Sequence, residues 1–135
     1  MNYFFDTSAV IYLVEKWRLS DCLLRFAQDN ELLIPPRVRE EFLNGEVEDS
    51  NISLVDNLFS LAEVELERSF LPYFDFEATD GAIWVMSCAH RSHGSCCVID
   101  EAFARGVCDV LGVKYTGSIG IIRRLFEKKL LSGDE

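Results

Sequence analysis

The sequence predicts a three-layer α/β/α sandwich built on a central, mainly parallel sheet of four to five short strands. Three observations carry that expectation. Short apolar runs at Asn2–Phe5, Leu32–Ile34, Cys96–Ile99 and Val113–Tyr115 read as buried strands. The stretches between them repeat apolar residues at helical spacing, and strands alternating with helices build a parallel sheet covered on both faces. Acids stand directly after two of the runs, Asp6 after the first and Asp100-Glu101 after the third. Open α/β sheets hold their ligands at the C-terminal ends of strands.

Taken in order, Asn2–Phe5 is strand one and Asp6 ends it. Thr7 and Ser8 can cap a helix from about Ala9 to Trp17. Ser20 or Asp21 caps a second helix that buries Leu23, Leu24 and Phe26 and stops at Asp29-Asn30. Leu32–Ile34 is strand two. Pro35-Pro36 suits the first positions of a third helix, in which Val38 and Phe42 face inward, Glu41 borders that face and Glu40 points further round. Gly45 stops it. Ile52, Val55, Leu58, Phe59 and Ala62 mark a fourth helix. Residues 63–67 alternate acid with apolar, which fits an edge strand and a helix end equally. Pro72 to Phe76 is an aromatic loop, and its Tyr73, Phe74 and Phe76 suit a subunit contact and a fold-back onto the core equally.

Thr79 and Asp80 open a fifth helix, with Asp80 in the first turn where the helix dipole favours a carboxylate. Ile83, Trp84, Met86, Ser87 and His90 lie on or near its packed faces. Strand three follows, then a helix marked by Ala102, Phe103, Val107 and Leu111 and ended by Gly112. Val113–Tyr115 is a further strand. Thr116-Gly117-Ser118 starts the last helix, which is expected to bury Ile121, Ile122, Leu125 and Phe126 and to expose Arg123, Arg124, Lys128 and Lys129.

The bulk composition narrows the function classes. The 135 residues suit one domain, 1–135, and 49% hydrophobic content supports a real core. No apolar run approaches the roughly 18 residues of a membrane span, and the acid in MNYFFDTSAV is unlike a signal peptide, so a cytoplasmic protein is expected. The net charge of −10 excludes nucleic-acid binding through a global basic field. It leaves room for a nucleic-acid enzyme whose acids hold cations.

Asp6, Glu41, Asp80 and Asp100 stand where they can converge, with Glu101 a fifth candidate. If strands one and three lie close, Asp6 and Asp100 emerge on one edge, since neighbouring strands are roughly 5 Å apart. Half-buried carboxylates in such a group take up protons or bind cations. Oxygen-only ligands suit Mg²⁺ or Mn²⁺, which support phosphodiester hydrolysis. The plain alternative is that acids cap helices and face solvent; it weakens for Asp6 and Asp100, each directly after an apolar strand.

These residues bring a family into view. FFDTSAVIYL, IPPRVREEF, ATDGAIWVMSCA and VIDEAFARGVCDVLGVKYTGSIGII together resemble PIN domains, the ribonuclease fold of many prokaryotic toxins and of stand-alone archaeal proteins. The last block is the specific part. The resemblance implies that Asp6, Glu41, Asp80 and Asp100 bind metal and catalyse, with Ser8 and Ser118 in support. Glu101, where many relatives carry a second Asp, is also in support. It implies metal-dependent endoribonuclease activity, an RNA substrate, an antitoxin protein partner and a homodimer.

Substrate grip is expected from Arg105, Arg123 and Arg124, with Lys128 and Lys129, although a solvated helix face explains such charges as well. CAHRSHGSCC gathers Cys88, His90, His93, Cys96 and Cys97 in ten residues, which suggests zinc. The run lacks separated ligand pairs, and buried thiols are the simpler expectation for five Cys without a CxxC. A disulfide would fit only a hyperthermophile. Three other functions compete: a metal-dependent phosphohydrolase, a receiver-like phospho-acceptor, and a PIN-like module that binds RNA or protein without cutting. The first strand lacks the DxD of the phosphohydrolase, and Lys114 does not follow its strand as a receiver requires.

Overall fold

In a computed structural model, described for residues 1–63, 65–69 and 81–131, the apolar runs form one five-stranded sheet of order β3-β2-β1-β4-β5, with every pairing parallel. The strands are β1 (Asn2–Phe5), β2 (Glu31–Ile34), β3 (Ser60–Leu61), β4 (Ser95–Val98) and β5 (Tyr115–Thr116). Tyr3, Phe4 and Phe5 are all buried, as is every residue of β4, so side chains on both faces of the central strands are covered. That is the expected three-layer α/β/α sandwich.

The helices are α1 (Thr7–Val10), α2 (Ser20–Phe26), α3 (Pro36–Asn44), α4 (Asp49–Leu58), α5 (Gly81–His90), α6 (Ala102–Leu111) and α7 (Ser118–Glu127). α1 begins two residues before the expected Ala9, because Asp6 itself caps it and accepts from the Thr7 N–H at 2.8 Å. It continues as a π-helical stretch, Ile11–Lys16, in which Trp17 N–H donates to the Tyr12 carbonyl at 2.8 Å. Leu13 and Val14 are buried from that stretch. Leu19, not Ser20 or Asp21, stands at the N-cap of α2, and Leu24 is exposed rather than buried.

In α3, Pro36 occupies the first turn and Val38 and Phe42 are buried, as the spacing predicts. α5 packs on β1, β4, α3 and α6; α2 packs on α4 and α7. Gly112 closes α6 with φ +71°, a left-handed position that glycine adopts without strain.

Several details differ from the sequence expectations. The edge strand is Ser60–Leu61, earlier than the undecided 63–67 stretch, and Phe59 caps α4 rather than lying inside it. β5 is shorter than Val113–Tyr115, starting two residues later and ending one later. Phe126 is 67% exposed and Phe103 52%, and His90 lies on the surface. The aromatic loop, Val64, Thr79 and Asp80 fall outside the described residues.

Candidate active site

The strand order places β1 and β4 side by side at the point where the chain changes direction across the sheet. β1 continues to β2 and β3 on one side; β4 and β5 lie on the other. Crevices at such reversals, beyond the C-terminal strand ends, are the ligand sites of open α/β sheets. Phe5 is in register with Val98, and the Asp6 N–H donates to the Val98 carbonyl at 3.0 Å. Asp6 and Asp100 therefore leave adjacent strands at the same edge, about 5 Å apart strand to strand.

Each acid has its own set of supports. On the β1 side the Thr7 hydroxyl donates to Glu41 Oε1 at 3.0 Å, which ties α3 to the start of α1. Gly81 backs the same pair. A Cβ placed on it would overlap Glu41 Oε1 and lie 3.3 Å from Asp6 Oδ1. Only a residue without a side chain lets α5 begin this close to the two carboxylates.

On the β4 side Ser118 donates twice to Asp100, from its backbone N–H to Oδ1 at 2.7 Å and from its hydroxyl to Oδ2 at 2.5 Å. Ser118 is buried at the first turn of α7, so the helix start itself faces the carboxylate. Gly117 lies so close that a Cβ would stand 2.8 Å from Asp100 Oδ1 and overlap the Arg105 guanidinium.

The structure puts Asp6 and Asp100 after adjacent strands and Glu41 beside Asp6, with Ser118 against Asp100 and Ser8 half-buried in α1. Asp80 lies outside the described residues. Glu101 caps α6, its carboxylate accepting from Phe103 and Ala104 N–H at 2.9 and 2.7 Å. Sequence reasoning reads Thr7 only as a helix cap and assigns no role to Gly81 and Gly117. A polar residue after Asp6, and glycines beside Asp80 and Ser118, were the available signals.

The basic residues divide. Arg105 Nε donates to the Ile99 carbonyl at 2.8 Å, Nη2 lies 3.8 Å from Asp100 Oδ1, and the guanidinium sits 5.8 Å from the Tyr115 ring centre. It braces the Asp100 turn. Arg123 pairs with Glu127 at 3.0 Å. Arg124 is half-buried rather than exposed, with its guanidinium 5.5 Å from the Tyr3 ring centre. It lines a hollow of 500 Å³ with Met1 and Asn30, where β1 and β2 begin, at the sheet edge opposite the acids. It does not reach them.

The donor chemistry of these residues suits a hard divalent cation. Asp6, Glu41 and Asp100 offer oxygen alone, and the carboxylate oxygens engaged by Thr7 and Ser118 retain further acceptor capacity. Gly81 leaves room where a Cβ would crowd the acids. Among the described residues, no three His, Cys, Asp or Glu side chains gather into a ready metal cage. That bears on the Cys-His run too, which lies wholly within them.

Cys88, Cys96 and Cys97 are buried while His90 and His93 are exposed, so the five zinc candidates do not meet. The Cys97 thiol points to the Val85 carbonyl at 3.7 Å. Burial pushes the Cys88 thiol up to about 12. Cys97 is raised by its hydrogen bond to Cys108 and then by burial. These are structural thiols.

No described helix is long and apolar enough to cross a membrane. Comparison with curated proteins finds no match. Among solved structures the chain is similar to the crystal structure of VapBC2 from Rickettsia felis bound to a DNA fragment from their promoter. The TM-score is 0.59 at 14% identity, covering 87% of this chain and 98% of that one; at this identity the likeness shows the fold alone. A family model for the PIN domain matches residues 2–134. With that match over almost its whole length, the chain belongs to the PIN-domain family.

Proposed function

We propose that the chain is a metal-dependent endoribonuclease that hydrolyses RNA phosphodiester bonds and acts as the toxin of a toxin–antitoxin pair. What supports the reading is the register of β1 with β4, after which Asp6 and Asp100 follow on adjacent strands, together with Glu41 beside Asp6. Family membership supports the nuclease assignment, and the likeness to VapBC2 supports an antitoxin partner. The homodimer and cytoplasmic location belong to the same reading.

Asp6 and Asp100, with Glu41 and Asp80, would hold Mg²⁺ or Mn²⁺. Such an ion, when bound, makes water a better nucleophile and offsets charge on the phosphodiester. Ser118 holds Asp100 in place through both its oxygens. Thr7 holds Glu41 at Oε1, which orients that carboxylate to take the proton of an attacking water. The P–O bond to the leaving oxygen breaks directly, without a covalent enzyme intermediate.

The test is cleavage of mixed-sequence single-stranded RNA with Mn²⁺ by wild type, Asp6→Asn and Asp100→Asn from identical preparations. Wild type is expected to cut and chelator to stop it. Both variants should lose at least about a hundredfold in rate. The melting temperature should rise with Mn²⁺ in wild type alone. Equal cutting by all three sinks the assignment. Mn²⁺ binding without cutting would favour a PIN-like binding module.

A further inference from the structure

Helix α5 is buried at every residue from Gly81 to Ala89 except Trp84. Ahead of the exposed His90 at its end, the one break in that burial is an aromatic ring. Trp84 is partly buried against Leu66 and Ile83, which fixes the ring's position. Among the described residues it lines a hollow of 310 Å³ with Pro36, Arg37, Glu40 and Glu63. That volume is at the small end of ligand sites, on the scale of one planar ring system.

The hollow draws on the same two helices, α3 and α5, that carry Glu41 and Gly81. Glu40 precedes Glu41 on α3. Trp84 lies one turn along α5 from Gly81, where a Cβ would meet Glu41 and Asp6. The rise from Gly81 to Trp84 is about 4.5 Å along the axis.

We propose that this hollow is a nucleobase subsite, resting on the ribonuclease reading above, that receives an unpaired RNA base next to the bond cut. Three features select the occupant. Trp84 and Pro36 supply flat apolar surface, and stacking on aromatic rings is how single-stranded RNA is held. Glu40 and Glu63 bring acceptor oxygens to the rim and repel phosphate, so the base enters and the backbone stays outside. Arg37 is already paired with Glu40 at 3.2 Å, which steadies that carboxylate. Carboxylates accept from exocyclic amino groups, so guanine, adenine and cytosine fit and uracil, without an amino group, fits worst.

Stacking also answers a difficulty of charge. The chain carries −10, and Arg105, Arg123 and Arg124 are engaged with Ile99, Glu127 and Tyr3. Grip that does not depend on a positive field is what such a chain requires.

The experiment uses Trp17→Phe, which leaves Trp84 as the one tryptophan, combined with Asp100→Asn to keep RNA intact. Trinucleotides of each base are titrated against its fluorescence. Saturable quenching is expected with guanine, adenine or cytosine, about fivefold or more tighter than with uracil. Glu40→Gln with Glu63→Gln should shrink that preference.

In the cutting enzyme Trp84→Ala should raise KM about tenfold with Mn²⁺ binding unchanged, and Trp84→Phe should restore most of it. Absent quenching, equal quenching by uracil, or a kcat loss at unchanged KM overturns the proposal. If Trp84→Ala does not fold, the titration alone decides. If wild type cuts no RNA, the nuclease reading fails while the titration still decides the subsite.

Discussion

Ser118 holds Asp100 with two hydrogen bonds from a single residue, one from its backbone N–H at 2.7 Å and one from its hydroxyl at 2.5 Å. The carboxylate that ends the β4 segment is thereby fixed by the start of α7. Ser118→Ala removes one of the two. The expected cost is about 1.5 kcal/mol in chemical denaturation, as for a hydrogen bond to a charged group. Mn²⁺ affinity should drop together with it, because the ligand loses its orienter. Unchanged affinity in an equally folded variant would show that the backbone bond suffices.

Gly81→Ala separates stability from the site. Alanine is the better helix former by up to about 1 kcal/mol, but its methyl would meet Glu41 Oε1. Glu41 must then turn away from Thr7. The melting temperature should change little while Mn²⁺ affinity falls about tenfold, measured by calorimetric titration. A variant that binds Mn²⁺ as wild type does would remove Glu41 from the site.

Much of this arrangement is visible in the sequence, and the part that is not has a common cause. β1 and β4 show as apolar runs, and Asp6 and Asp100 as acids directly after them, because burial and strand length are local signals. The end of α6 at Gly112 is local too. The role of Glu101 is not: an acid directly before a helix reads equally as a ligand and as a cap, and the cap shows only in the bonds to Phe103 and Ala104. Thr7 and Gly81 matter because of Glu41, distant in sequence. Phe126 fits a buried helical stripe by spacing, yet α7 turns it outward. The two-residue strand Ser60–Leu61 is too short to carry a period.

Arg39 joins α3 to α4 by donating twice to Asp56, at 2.9 and 3.1 Å. The hydrogen bond from Arg39 holds the Asp56 carboxyl below its usual value of 3.8. A carboxyl lowered in the folded state stabilises above its unfolded pKa, and loses that contribution as pH falls through the folded value. Asp56→Asn should therefore lower the melting temperature at pH 7 by no more than about 2 °C, since the pair is exposed. At pH 2 the two proteins should melt alike. A difference that persists there would point to packing instead of charge.

The thiols offer a check on the core. All five are free and buried. A chromogenic disulfide reagent should find almost none in the native protein at pH 8 and all five after unfolding. Cys88, pushed up to about 12 by burial, should stay unreactive at pH 9, where an exposed thiol is ionised. Fast native labelling, or zinc released on unfolding, would contradict the arrangement of β4 and α5.

The pairing of β1 with β4 has a consequence for synthesis. The first strand is synthesised about ninety residues before its partner on this side. Long-range parallel pairing of this kind forms late, since a large loop must close before any contact rewards it. Ser118 comes later still. An unfinished chain ending before β4 has Asp6 and Glu41 but lacks Asp100. On the ribonuclease reading, such a chain would still lack one of the acids that the cut requires.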